Sequence, residues 1–371
     1  MNISIPASKL YSLQYIRGIA ALAVLFYHLQ ASLNNVYAQT NLGELIFSQG
    51  QFGVELFFVL SGFIICFSTE RIESRAVIKF LIRRIFRIYP LLILCVTAYY
   101  FLLSSHYDLH YYSVSVLGFN FNYKAAAPFF GWNVLPTAWS ISYELSFYFL
   151  FAIAMLISHK YRILLACILV IGAYLSASYY FNHEFFLYFN KSENHNIGEH
   201  NIFYLFTSPM FLEFIYGMLI YVIYHYFRNS TFSINSENRY PIKFLIILSI
   251  IYLIALIASD DKNNPHILLQ QGPLAWGFIA AMMLSLSIIY ETLFSTNKSH
   301  FLDYLGEISY SLYISHMLIF DLIYRKFGIV KQNGITPFIM STIFAIIIAI
   351  ILHHLIEKPL IHFSKKLIKR F

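Results

Sequence analysis

Charge is scarce in this chain: lysine, arginine, aspartate and glutamate make up 12% of its 371 residues, about half the share of an ordinary soluble domain. A soluble fold of this length must coat its core with charged side chains, so that class is excluded. Cysteine is scarcer still. Cys66, Cys95 and Cys167 are odd in number, far apart and embedded in apolar runs, which excludes a disulfide framework and a CxxC metal or redox site and leaves them as small packing residues. No internal repeat and no pair of interrupted apolar segments in matching halves is present, which argues against an inverted-repeat transporter. The first apolar stretch lacks a small-residue cleavage signature, so a removable signal peptide is not expected.

Apolar and aromatic side chains are abundant instead, at 59% and 19% of the chain, and they recur in runs of about 20 residues, the length that crosses a bilayer. A window of roughly 19 residues places spans near 13–31, 50–69, 88–104, 138–157, 161–181, 203–226, 241–259, 270–290, 307–325 and 336–356. The expected fold is an all-α polytopic membrane protein, a bundle of about ten transmembrane helices. It forms one domain over 1–371 with no appended soluble domain. Residues 105–137, aromatic and broken by Pro128, Gly131 and Pro136, are expected to lie at the interface or re-enter without crossing.

The net charge of +7 sits in short loops between the apolar runs, a pattern that orients a membrane protein and does not suit nucleic acid. Of the 25 lysines and arginines, 17 fall on the side that holds both termini. Six fall opposite: Lys124, Lys191, Lys262, Arg325, Lys326 and Lys331. Both termini are therefore expected in the cytoplasm.

Ionisable side chains at membrane depth cost about 2.5–3.5 kcal/mol on insertion scales, and each is a candidate site residue. Arg17 and His28 are eleven residues apart in the first span, on one helical face and about 16 Å apart along the axis. Glu55 and Glu144 both come early in spans that enter from the far side, so His28, Glu55 and Glu144 are expected at a common depth. An imidazole beside carboxylates can act as general base toward a hydroxyl; a satisfied core histidine and a helix-bonding glutamate are the structural alternatives. Ser61, Tyr143 and His316 are candidate oxyanion donors. Ser309, Tyr313 and His316 form a polar stripe at helical spacing that suits either packing or substrate contact.

Arg83, Arg84 and Arg87 cluster at the mouth of the third span. Arg84 and Arg87, three apart, can converge on one phosphate, and basic residues at this position also serve topology and anionic lipid. His353 and His354 are adjacent and diverge by about 100° on a helix, so no metal site is expected. Glu307, Glu357 and Lys358 fall at helix ends, where ion pairing explains them.

Taken together, Arg17 through His28, Gly53 through Phe63, Arg84 through Arg87, Trp139 through Glu144, Ser309 through His316 and Ile356 through Pro359 resemble the acyltransferase 3 family, integral-membrane enzymes that O-acylate bacterial surface sugars. The resemblance implies a ten-helix domain that uses acetyl-CoA as donor, with His28 catalytic, Glu144 in the active site, and Arg17 with the Arg84 and Arg87 pair supporting the donor. Arg83 is grouped with that cluster, and Glu55, Ser61, Trp139, Tyr143 and His316 with the acceptor. The function so implied is transfer of an acetyl group from cytoplasmic acetyl-CoA to a hydroxyl of a lipid-linked or polymeric sugar, of O-antigen (lipopolysaccharide) or exopolysaccharide type, across the bacterial inner membrane. Membrane lipids are the other expected partner. The alternative from another class is a transporter or flippase of a sugar-linked lipid, whose polar residues would line a pathway.

Overall fold

A computed structural model describes residues 9–104, 107–125, 127–187, 201–228, 239–258, 272–294, 298–326, 328 and 333–371. Ten long helices run through these residues: α1 (Tyr11–Leu29), α3 (Gly53–Ser68), α4 (Ala76–Leu103), α6 (Trp139–Ile157), α7 (Arg162–Asn182), α8 (Phe211–Arg228), α9 (Arg239–Ala258), α10 (Phe278–Leu293), α11 (His300–Asp321) and α12 (Ile335–Leu352). Three shorter ones join them: α2 (Leu42–Phe47), α5 (Leu109–Val116) and α13 (Lys358–Ile368). Among the described residues there is no strand. The chain is an all-α, multi-pass membrane protein.

Eight of the ten long helices, with their flanking turns, are long and apolar enough to cross a membrane. The other two, α8 and α11, carry Glu213, His225 and Arg228, and Asp303, Glu307, His316 and Asp321. Their neighbours explain the difference. Helix α8 packs along α3, and α11 along α1 and α12, so protein rather than lipid surrounds their polar positions. Helix α9 is the reverse case, with Phe244, Leu248, Ile251 and Ile254 exposed as a lipid-facing surface requires.

Helix α4 begins at Ala76, a full three turns before the expected span start. Arg83, Arg84 and Arg87 therefore lie within the helix, not ahead of it. A hydropathy window discards these basic turns, although arginine is a good helix former. Helix α1 starts where it does because the Glu291 carboxylate of α10 accepts the N–H groups of Tyr11 and Ser12, at 2.7 and 2.8 Å. A carboxylate there offsets the positive end of the helix dipole and sets the height of Arg17.

Helices α3 and α8 run parallel in backbone contact. A Cβ at Gly62 would fall 2.1 Å from the Phe214 carbonyl oxygen, and one at Gly217 would fall 1.9 Å from that of Val59. The rings step along in register, Phe58 on Phe214 at 4.9 Å, Phe63 on Tyr221 at 5.8 Å and Phe67 on Tyr224 at 6.3 Å between centroids. Small residues that let backbones meet are the usual device of helix packing in lipid.

The basic loops collect at one end of the bundle. There the Ser74 hydroxyl donates to the Phe371 carbonyl at 3.4 Å, Arg162 to Thr69 at 3.1 Å, Arg228 to Glu70, and Lys9 and Lys298 both pair with Asp303. At the other end Gly334 N–H donates to the Ser32 carbonyl at 2.7 Å and Lys326 to that of Leu102 at 3.1 Å. Lys191, Lys262 and Lys331, used in assigning the sides, lie outside the described residues.

Between α4 and α6 the chain makes no crossing in the described residues, since α5 has eight residues, about 12 Å of helix. The Asn133 amide ties this segment together by donating to the carbonyls of Phe119 and Ser115, at 2.8 and 3.3 Å. Phe129 stacks on Trp132 at 4.1 Å and meets Trp139 at the start of α6.

Candidate active site

Two cavities lie in the bundle, one above the other. The first, toward the basic end, has a volume of about 110 Å³ and is lined by Arg17 of α1, Ser61 of α3, Arg84 and Arg87 of α4 and Glu144 of α6. Arg84 and Arg87 share this wall because three residues on a helix bring side chains to one face. Arg84 donates to Ser68 at 2.9 Å and lies over the rings of Phe80 and Tyr148 at 5.5 and 5.0 Å. Its Nε is buried without a hydrogen-bond partner among the described residues.

Arg87 is held differently. Its guanidinium pairs with Glu357, a carboxylate only 1% exposed that also accepts from Ser311 and meets His353 Nδ1 at 3.0 Å. A π-turn over His353–Glu357 rotates this carboxylate inward from the end of α12, and such turns recur at functional sites. Ion pairing is what the sequence suggests for Glu357, but its burial inside the arginine cluster is not legible there. Three guanidinium groups, one with an unmet N–H, can bind an anionic group such as phosphate.

The second cavity, about 290 Å³, is lined by His28 of α1, Glu55 of α3, Trp139 of α6 and the loop residues Phe129 and Trp132. His316 of α11 lies against His28, ring centroids 5.2 Å apart. Its Nδ1–H donates to the Leu312 carbonyl at 3.1 Å, and its Nε2 is buried without a partner among the described residues. Val54 and Tyr313 line both cavities and form the partition between them. The Tyr313 hydroxyl is fixed to Ser140 at 2.7 Å, and its ring rests edge-on against Phe57 at 5.4 Å.

Several expectations are corrected by this arrangement. Glu144 does not join His28 and Glu55: it lies in the arginine cavity and accepts from Ser61 at 3.3 Å and from Tyr148. Glu55 is in the first turn of α3, whereas Glu144 is five residues into α6, about 7.5 Å deeper than Trp139. Ser61 lies with Glu144 in the arginine cavity and not in the lining of the His28 cavity. Tyr143 is spent inside the fold, donating to the Pro128 carbonyl at 2.9 Å. Arg83 turns away and pairs with Glu73 at 3.1 Å, because one residue is about 100° of helix. Glu213 is the residue that the sequence reading passed over; it is buried behind Glu55. An acidic side chain in the first turn of a helix looks like an ordinary dipole partner. Among the described residues no group of three or more His, Cys, Asp or Glu is placed to hold a metal ion.

Residues 10–354 match the family described as an acyltransferase domain. The chain belongs to the acyltransferase 3 family. A protein of the Acidianus two-tailed virus that bears an acetyltransferase name is similar to it, with 26% identity over 316 residues, 83% of this chain and 82% of the relative. No solved structure matches. In this membrane acyltransferase, the matched region holds both cavities and all of the lining residues named above.

Proposed function

We propose that this acyltransferase moves an acetyl group from acetyl-CoA on the cytoplasmic side of a bacterial inner membrane to a hydroxyl of a surface-polysaccharide sugar, of O-antigen or exopolysaccharide type, on the other side. The observation that carries the reading is the pair of cavities meeting at Val54 and Tyr313, arginines on one side and His28 on the other. Arg84, Arg87 and Arg17 hold the donor's phosphates. A thioester brought to the partition from that cavity comes within reach of a hydroxyl admitted to the other. His28 takes the hydroxyl proton as the new C–O bond forms, and returns it to the sulfur as the C–S bond breaks. His28 lines the second cavity and makes no ion pair with a carboxylate among the described residues. Glu144 belongs with the donor in this scheme, balancing Arg17, which lies within electrostatic range of it.

Thioester consumption by the purified protein in lipid tests this reading, with cell-envelope extract as acceptor. His28→Ala is expected to abolish turnover and keep donor binding, a loss of about 10²–10⁴-fold for a general base. The Arg84→Ala/Arg87→Ala pair is expected to lose donor binding. A wild-type protein that neither binds nor consumes acetyl-CoA would overturn the proposal.

A further inference from the structure

Behind the outer cavity lie two acidic side chains, Glu55 and Glu213, within electrostatic range of each other. Glu55 lines that cavity and is 2% exposed, while Glu213 in the first turn of α8 is fully buried. Their placement follows from the glycine contact between α3 and α8. Glu55 precedes Gly62 by seven residues and Glu213 precedes Gly217 by four, so each lies within about 40° of its glycine's face. The ring pair Phe58 and Phe214 just below sets the register: Glu55 stands three residues above Phe58 and Glu213 one above Phe214, a difference in height of about 3 Å that glutamate side chains can span. Glu213 reaches over Gly277, where the missing Cβ leaves room: one built there would fall 2.8 Å from the Glu213 Cγ and 3.0 Å from its Oε1.

Neither oxygen of Glu213 has a hydrogen-bond partner among the described residues, nor has Glu55 Oε2. Trp276, next to Gly277 and 2% exposed, has an equally unpartnered Nε1. No lysine or arginine pairs with either carboxyl group among the described residues. The titratable groups that face them are Tyr143 of α6, Tyr216 of α8 and Tyr313 of α11, with His28 of α1 and His316 beyond it across the cavity. Two carboxylates within electrostatic range of each other and without a cation in a low-dielectric interior repel too strongly for both to be ionised.

We propose that Glu55 and Glu213 are a positioning pair that shares one proton, and that its single negative charge supports the imidazolium formed on His28 during acyl transfer. This rests on the reaction proposed above, in which the proton travels from the acceptor oxygen to His28 and on to the thiolate. The pair itself ends each cycle with the proton it started with.

The test uses Glu55→Gln, Glu213→Gln and the double variant, because glutamine has the shape of a protonated carboxyl group. Each single variant retains one carboxylate and is expected to lower kcat by about tenfold, while the double variant loses about a thousandfold or more, beyond the product of the two single effects. The KM for acetyl-CoA is expected to stay unchanged throughout. Independent carboxylates would instead give effects that multiply; that pattern, or full activity in the double variant, overturns the proposal. Infrared spectroscopy of the wild type at neutral pH is expected to show the carbonyl band of a buried protonated carboxylic acid, lost in either single variant. Its absence from the wild type, or its persistence in both singles, overturns the shared proton without reference to turnover. If the wild type consumes no thioester, the proposed reaction falls while the infrared arm still decides whether the pair exists.

Discussion

Arg87 and Glu357 meet across 270 residues of sequence, and their contact shows what a single residue decides here. Glu357→Ala leaves Arg87, Ser311 and His353 facing a buried gap. Breaking a buried ion pair from one side costs about 3–5 kcal/mol, and because Arg87 is 24% exposed the expected loss is about 2–3 kcal/mol, read as a lowered midpoint of thermal unfolding in detergent. The double variant Arg87→Met/Glu357→Leu is expected to recover part of it, since no charge is then stranded. A midpoint in Glu357→Ala equal to that of the wild type would show the pair to be idle. The spacing of Arg84 and Arg87 was legible in the sequence because it depends only on helical pitch. The carboxylate partner of Arg87 was not, because a partner on another helix depends on how the helices rotate against each other.

At the scale of elements, the turn after α3 is tied to the end of α8 by Glu70, which pairs with Arg228 and lies 3.3 Å from His225. The Arg228 guanidinium, by donating to it, holds the Glu70 carboxyl below the ordinary carboxylate range. A depressed value in the folded state means that this pairing stabilises the protein above the unfolded-state value, and that its contribution is lost as pH falls through the folded-state value. Thermal midpoints measured from neutral to acid pH are therefore expected to fall at the acid end, and to fall less steeply in Glu70→Gln. Identical slopes in the two proteins would remove the linkage. The helices themselves could be read from apolar run length, but α4 was shortened by its arginine-bearing turns, because a hydropathy scale measures transfer to lipid and not helix propensity.

At the scale of the whole molecule, the distribution of charge bears on which end faces the cytoplasm. The basic loops gather at the end that holds the arginine cavity, the arrangement expected when both termini are cytoplasmic. In a background with Cys66, Cys95 and Cys167 replaced, Lys366→Cys is expected to react with a membrane-impermeant thiol reagent only after permeabilisation. Gln39→Cys, exposed at the opposite end, is expected to react in intact cells. The reverse pattern would place the arginine cavity outside, away from a cytoplasmic donor.

The sequence alone determined that this protein is a helical membrane bundle, which ionisable residues fall within its apolar spans, and which family they resemble. Those properties follow from run length, helical pitch and residue type, which are local. Only the tertiary structure decided that Glu144 sits with the arginines, that Tyr143 and Arg83 are occupied elsewhere, that Glu213 stands behind Glu55, and that Val54 and Tyr313 divide two cavities. Each of these depends on the rotation and height of one helix against another. Glycine contacts such as Gly62 on Gly217 fix that relation through packing between residues far apart in the chain.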